Sequence, residues 1–174
     1  KSAILSRLVH GRFEDDYIAT IGADFFVKEL VVNGTKVNMT LWDTAGQERF
    51  QSLGTHFYRG AHACVLVFDL GFADTLPHLS AWFAEFRAQA GPGKLAVVVG
   101  NKCDLETRVV EESEIRHCVA MLSQQTEVPM VYFEASAKTG HNIDAVFDHI
   151  AEALAPLVPT NQSDKKDNVR PADW

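Results

Sequence analysis

The sequence predicts an α/β fold in which a mostly parallel sheet carries helices on both faces, with one antiparallel edge strand. Three observations carry that prediction. Short apolar runs, ACVLVFDL, KLAVVVGN and VPMVYFEAS, read as strands buried on both faces, and stretches of helical spacing separate them. Two alternating runs, FVKELVV and KVNMTLW, flank Asn33-Gly34, a pair that favours a tight hairpin turn. Each run also ends in polar or glycine-containing residues, where an open parallel sheet binds its ligands.

The elements follow in order. From Ser2 to Val9 the apolar residues Ile4, Leu5 and Leu8 have helical spacing. The hairpin comes next, then a helix over about 48–57. The strand of ACVLVFDL leads to a helix over about 75–90, and KLAVVVGN to one over about 111–125. The last helix, about 142–157, is the clearest. Asn142 is placed to cap its start, and Ile143, Val146, Phe147 and Ile150 share one face. Beyond it, residues 158–174 are polar and charged and read as a flexible tail. Residues 1–157 then form one domain, in keeping with a 174-residue chain.

A net charge of -7 argues against a general nucleic-acid binder. It leaves room for a phosphate ligand, because backbone N–H groups and one lysine can bind phosphate. Cys64, Cys103 and Cys118 are widely spaced, so neither a disulfide framework nor a zinc site is suggested, and a reducing compartment fits. No run has the length and apolarity to span a bilayer.

The strand ends carry the chemistry. In DTAGQE, Asp43 is placed to hold magnesium, Gly46 lets backbone approach a terminal phosphate, and Gln47 can orient an attacking water. The competing reading is a polar turn. In NKCD, Asp104 accepts two N–H bonds from the edge of guanine, a donor pattern that adenine lacks. Asn101 either meets the purine N7 or ties neighbouring loops together, and the Lys102 stem lies along the base. In SAK, the Ala137 N–H is placed for the guanine carbonyl, with Ser136 beside it and Lys138 over the base. Thr20, in YIATIGADF, offers a hydroxyl to magnesium and an N–H to the outermost phosphate. Lys1-Ser2 before a helix is the end of the pattern G-x-x-x-x-G-K-[ST], in which Lys1 reaches the β- and γ-phosphates and Ser2 binds magnesium. Alone, Lys-Ser carries little weight; the ordered set of motifs gives it force.

Together the strings IGADF, NMTLWDTAGQERF, FYRGA and LVFD closely resemble the Rab family of small GTPases, from Lys1 to about Leu157. ATIGADF with RFQSLG looks most like the late-endosomal and lysosomal branch. The resemblance implies a Ras-like P-loop fold of six strands and five helices, with GTP or GDP and Mg2+ as ligands. It implies a switch with slow GTP hydrolysis that regulates vesicle trafficking on the late endocytic pathway. Phe13 would pack near the base. Residues 14–20 would be the first switch, with Tyr17 among the nucleotide contacts, and Asp43 to Gln47 would open the second. Lys1 and Gln47 would be catalytic, and Ser2, Thr20 and Asp43 would hold the metal. Phe25, Trp42 and Phe57 match the aromatic triad through which Rabs meet effectors. Trp42 shares a strand face with Asn38 and Thr40, opposite Val37, Met39 and Leu41, which suits a partner surface.

Exchange factors and GTPase-activating proteins are further implied partners, and a monomer is expected. The protein would be cytoplasmic, and on the cytosolic face of endosomal or lysosomal membranes when lipidated. Three departures stand out. No glycines or apolar strand precede Lys1, so the chain is expected to be a fragment of the domain, with two neighbouring strands left unpaired. The end, RPADW, lacks the cysteines that the family prenylates. The stretch AGPGKLAVV is shorter than in the late-endosomal branch. Two rival readings are a Rab-like scaffold that binds partners without hydrolysis, and a different P-loop enzyme such as an ATPase or nucleoside kinase. Asp104 argues against the second.

Overall fold

The computed structural model describes residues 1–14, 20–46, 55–126 and 128–157. The chain runs α1 (Ser2–His10), β1 (Ala23–Val32), β2 (Thr35–Thr44), β3 (Ala63–Asp69), α2 (His78–Ala90), β4 (Leu95–Asn101), α3 (Glu112–Ser123), β5 (Val131–Ala135) and α4 (Ile143–Leu154). Short 3-10 turns cover Thr55–Tyr58, Ala73–Thr75 and Ala155–Leu157.

The expected fold class is borne out. β3, β4 and β5 form a parallel sheet in that order, and β1 and β2 form an antiparallel pair. The turn between β1 and β2 is built by Asn33 and Gly34, with φ of 49° and 79°. Positive φ at both central residues matches the right-handed twist of the flanking strands.

β4 is central and every one of its residues is buried. Its side chains alternate between two apolar layers, as the two-residue period of a strand requires. Ala96 and Val98 face a layer with Leu66 and Phe68 of β3, Leu79, Phe83 and Phe86 of α2, and Ile115 and Leu122 of α3. Leu95, Val97 and Val99 face the other, with Ile4, Leu5 and Leu8 of α1 and Ile143, Val146, Phe147 and Ile150 of α4. The hairpin rests on α4 through Val32, Val37 and Ala151.

The helices differ from expectation in detail. Residues 73–75 form a separate 3-10 turn, and α2 starts only after Pro77, which has no N–H to donate and suits a helix start. The expected helix over 48–57 falls largely outside the described residues; its end is the turn at Thr55–Tyr58. α3 carries a capping box, in which the Glu111 side chain accepts the Glu114 N–H and Glu114 accepts the Glu111 N–H at 3.0 Å. Asn142 stands at the N-cap of α4 but its side chain makes no capping bond. Its amide Nδ2 instead donates to the Glu134 carbonyl at 2.7 Å, tying α4 to β5.

Among the described residues the antiparallel pair does not join the parallel sheet. A cavity of about 650 Å³ lies between β2 and β3, lined by Val37, Met39 and Leu41 on one side and Val65 and Val67 on the other. α1 and α4 bridge the two sheets through side chains.

Gly100, in β4, marks a tightly packed point. A Cβ there would stand 2.6 Å from Tyr132 Oη and 3.0 Å from Phe68 Cζ. Tyr132 cannot swing away freely, because its hydroxyl donates to Glu134 Oε1 at 3.1 Å. Gly100→Ala is expected to lower unfolding free energy by about 1–3 kcal/mol in urea titrations. Adding Tyr132→Phe should recover part of that loss, and a strictly additive double variant would show that the hydroxyl is not the obstacle.

Candidate functional site

Three separate segments deliver one polar cluster. Ser2 opens α1, Thr20 stands just before β1, and Asp43 is next to last in β2. Asp43 is only 4% exposed, yet it is fully engaged. Its Oδ2 accepts the Ser2 hydroxyl at 2.5 Å and the Thr20 hydroxyl at 3.0 Å. The two hydroxyl oxygens are 2.9 Å apart.

Two hydroxyl protons cannot serve three contacts among three oxygens, so the cluster is rich in lone pairs and poor in protons. That donor set fits a small hard cation such as magnesium, which prefers oxygen ligands and retains water or phosphate oxygens. Among the described residues no three His, Cys, Asp or Glu side chains group to hold a metal. An ion here would rest on one carboxylate and two hydroxyls, completed by oxygens from the ligand or solvent.

Lys1 stands beside this cluster. Its Nζ donates to the Ala45 carbonyl at 3.2 Å and lies 5.0 Å above the Trp82 ring. The Gly46 backbone is adjacent: a Cβ there would stand 3.6 Å from Lys1 Nζ. Burial lowers the Lys1 pKa from its ordinary 10.5, and the charge of Asp43 works against that shift. Lys1, Ser2, Thr20, Asp43 and Gly46 are thus brought together. Gln47 and Tyr17 lie outside the described residues.

The second group forms at the ends of the parallel strands. The register sets Asp69, Asn101 and Ala135 side by side. Asn101 is buried, and its Oδ1 accepts the Ala137 N–H at 3.1 Å. Of its two expected roles, loop tying is the one seen in this geometry. The Ala137 N–H reaches a base carbonyl only by sharing its proton with Asn101.

Ser136 is fully buried. Its hydroxyl donates to Asp104 Oδ1 at 2.6 Å and accepts the Thr139 N–H at 3.0 Å. Asp104 is exposed and held by this bond. The Cys103 N–H donates to the Ala135 carbonyl at 3.1 Å, which fastens the same loop to β5. Lys102 has a left-handed φ of 69°, and its ammonium lies 2.6 Å from Asp69 Oδ2. A half-exposed pair of this kind contributes little stability, so its main effect is to fix the direction of the Lys102 stem. Lys138 is exposed, and its carbonyl accepts from Arg7 Nη2 at 2.5 Å. Phe13 is half-buried against the apolar layer of α1 and α4.

The three aromatics converge as well. Phe25 and Trp42 are cross-strand partners with ring centroids 5.6 Å apart. Trp42 stacks on Phe57 at 4.5 Å with 25° between planes. Phe25 is 59% exposed and Trp42 43%, so the stack is a surface feature and not core.

The large cavity between β2 and β3 is mostly apolar and reaches this site at Lys1, Asp43, Ala45 and Trp82. Sequence reasoning missed Arg7, the ion-pairing role of Asp69 and the ring of Trp82 under Lys1. Asp69 had a signal, its place at the end of an apolar run. Arg7 had none, because an arginine on an amphipathic helix reads as solvent-facing.

The model of the Ras family matches residues 1–155. "Ras-related protein Rab-7a" of Dictyostelium discoideum is 43% identical over 92% of this chain and 83% of its own length. "Ras-related protein Rab7" of Drosophila melanogaster is 45% identical over 90% of this chain and 75% of its own. "Ypt/Rab-type GTPase ypt7" of Schizosaccharomyces pombe is 43% identical over 87% and 75%. With the family's pattern running through both polar groups and the strands between them, the chain belongs to the Ras family and, within it, to the Rab branch that the Rab7 proteins represent.

Proposed function

We propose that this chain is a guanine-nucleotide switch that hydrolyses GTP slowly and regulates vesicle trafficking on the late endocytic pathway. The observation that carries this reading is that α1 ties two polar groups together: Ser2 opens it and donates to Asp43, and Arg7 on it donates to the Ala137 and Lys138 carbonyls. The cluster of Ser2, Thr20 and Asp43, with Lys1 beside it, suits a phosphate chain and cation. The Asn101, Asp104, Ser136 and Ala137 group suits a purine with guanine's donor edge.

Each residue has a task in this reading. Asp104, oriented by Ser136, accepts from the N–H groups of the guanine edge. Asn101 holds the loop of Ala137 at the right height, and the Lys102 stem covers the ring. The Lys1 ammonium neutralises charge on the β- and γ-phosphates. Magnesium, held by Ser2, Thr20 and Asp43, supplies charge neutralisation across the same phosphates when bound. Gln47 orients the water for in-line attack on the γ-phosphate, and positioning with charge neutralisation does the catalysis. The motifs Lys1-Ser2, DTAGQE, NKCD and SAK contain no arginine, so a partner is expected to supply one, worth roughly 10³–10⁵ in rate.

Thr20 and Gly46 would touch the γ-phosphate and order the adjoining segments, which hydrolysis then releases. The output is binding, and the exposed stack of Phe25, Trp42 and Phe57 is the surface on offer to effectors. Among the described residues no helix has the length and apolarity to cross a membrane. Residence on late-endosomal membranes would depend on a lipid anchor or a partner.

Purified full-length protein is expected to carry GDP or GTP, identified by chromatography of the released nucleotide. Bound adenine nucleotide would favour another P-loop enzyme, and a folded protein with no nucleotide would favour a scaffold. In single-turnover assays Gln47→Leu should cleave GTP about 10- to 100-fold more slowly. Chelating magnesium with EDTA should speed GDP release from the wild type. It should have much less effect in Asp43→Asn, where the ion is already weakly held. Ser136→Ala strands the Thr139 N–H and frees Asp104. We expect it to lose about 1–3 kcal/mol in urea unfolding and to release GDP faster by stopped-flow fluorescence.

A further inference from the structure

Arg7 joins the two halves of this site. It lies on α1, the helix that Lys1 and Ser2 open, and its guanidinium spends three donors on three backbone carbonyls. Nε donates to Ala137 O at 2.8 Å, Nη2 to Lys138 O at 2.5 Å and Nη1 to Gly11 O at 2.7 Å. The Arg7 carbonyl in turn accepts the Gly11 N–H at 3.0 Å, so the anchor point is itself fixed at the end of α1. A planar fork with several donors is suited to hold carbonyls in a set geometry, and bonds from a charged donor are stronger than neutral ones.

Two further contacts show that the clamp acts on the base-binding loop and not on a passive surface turn. Ala137 N–H is fixed by Asn101 at the same peptide neighbourhood that Arg7 grips through Ala137 O. Ser136, one residue earlier, orients Asp104. The loop is thus held from the strand side by Asn101 and from the helix side by Arg7. No other side chain of α1 reaches this loop among the described hydrogen bonds.

We infer that Arg7 is a positioning residue that couples the phosphate-binding helix to the base-reading loop, so that its guanidinium sets both nucleotide retention and the discrimination for guanine. This rests on the guanine-nucleotide reading above. Arg7 touches no reacting atom, so it acts on binding and leaves the cleavage step alone.

The test compares wild type, Arg7→Ala, Arg7→Lys and Lys28→Met in the full-length protein. Lys28 is the control, because its Nζ donates to Leu8 O at 2.9 Å and steadies the same end of α1 without touching the loop. Dissociation rates are measured for GDP and for inosine diphosphate, which lacks the amino group that faces Asp104. Cleavage of bound GTP is followed in single turnover. Arg7→Ala is expected to release GDP about tenfold faster or more. Its ratio of inosine diphosphate to GDP off-rates should narrow towards one, with the cleavage rate unchanged. Arg7→Lys, with one point charge in place of the fork, should fall between. Lys28→Met should keep wild-type rates and ratio even where its melting temperature drops. Arg7→Ala with the wild-type ratio, or with a change matched by Lys28→Met, would overturn the role of Arg7 while leaving the guanine reading intact. A wild type that binds neither diphosphate overturns both.

Discussion

The site depends on the register of the parallel sheet. Asp69, Asn101 and Ala135 are level with one another, so three loops leave the sheet at one height and can touch. A slip of one residue in β4 would turn Asn101 away from Ala137 and move its apolar neighbours to the wrong layer. The fully buried Val97, Val98 and Val99 prevent that slip, because they interlock with helices on both faces. Packing in the middle of the sheet thereby fixes polar geometry at its rim.

The rim shows how buried polar groups are made tolerable. Asp43, Asn101 and Ser136 are the buried polar residues among those described, and each bonds to another part of the site. None of the buried side-chain nitrogen and oxygen atoms among the described residues lacks a partner. Carboxylate, hydroxyls and loop peptides hold each other in place, and groups ordered beforehand cost less to order on binding.

Much of this was legible in the sequence because it obeys local rules. The apolar runs had to be buried strands, Asn33-Gly34 had to turn, and the spacing of Ile143, Val146, Phe147 and Ile150 had to face a core. The motifs of Asp43, Asn101 to Asp104 and Ser136 to Lys138 were readable because each stands at a strand end, and Lys1-Ser2 and Thr20 could be read from their order before them. What escaped involves choices made across the fold. Asn142 has the right residue type for a cap, but the Glu134 carbonyl competes for its amide and wins. Arg7 finds its carbonyls 130 and 131 residues downstream, a pairing that no window of sequence displays. Asn101 had two roles open until the position of Ala137 was known. The late-endosomal branch, read from ATIGADF and RFQSLG, agrees with the Rab7 relatives despite the short AGPGKLAVV stretch.

Asp43 owes its position to a helix and not to a neighbouring strand. Among the described residues no backbone ladder links β2 to β3, and the hairpin leans on side chains of α1 and α4. Ser2 of α1 donates to Asp43, and Arg7 of the same helix holds the carbonyls of Ala137 and Lys138. A change in the packing of α1 is therefore transmitted to both polar groups at once, and no other element of the described fold bonds to both.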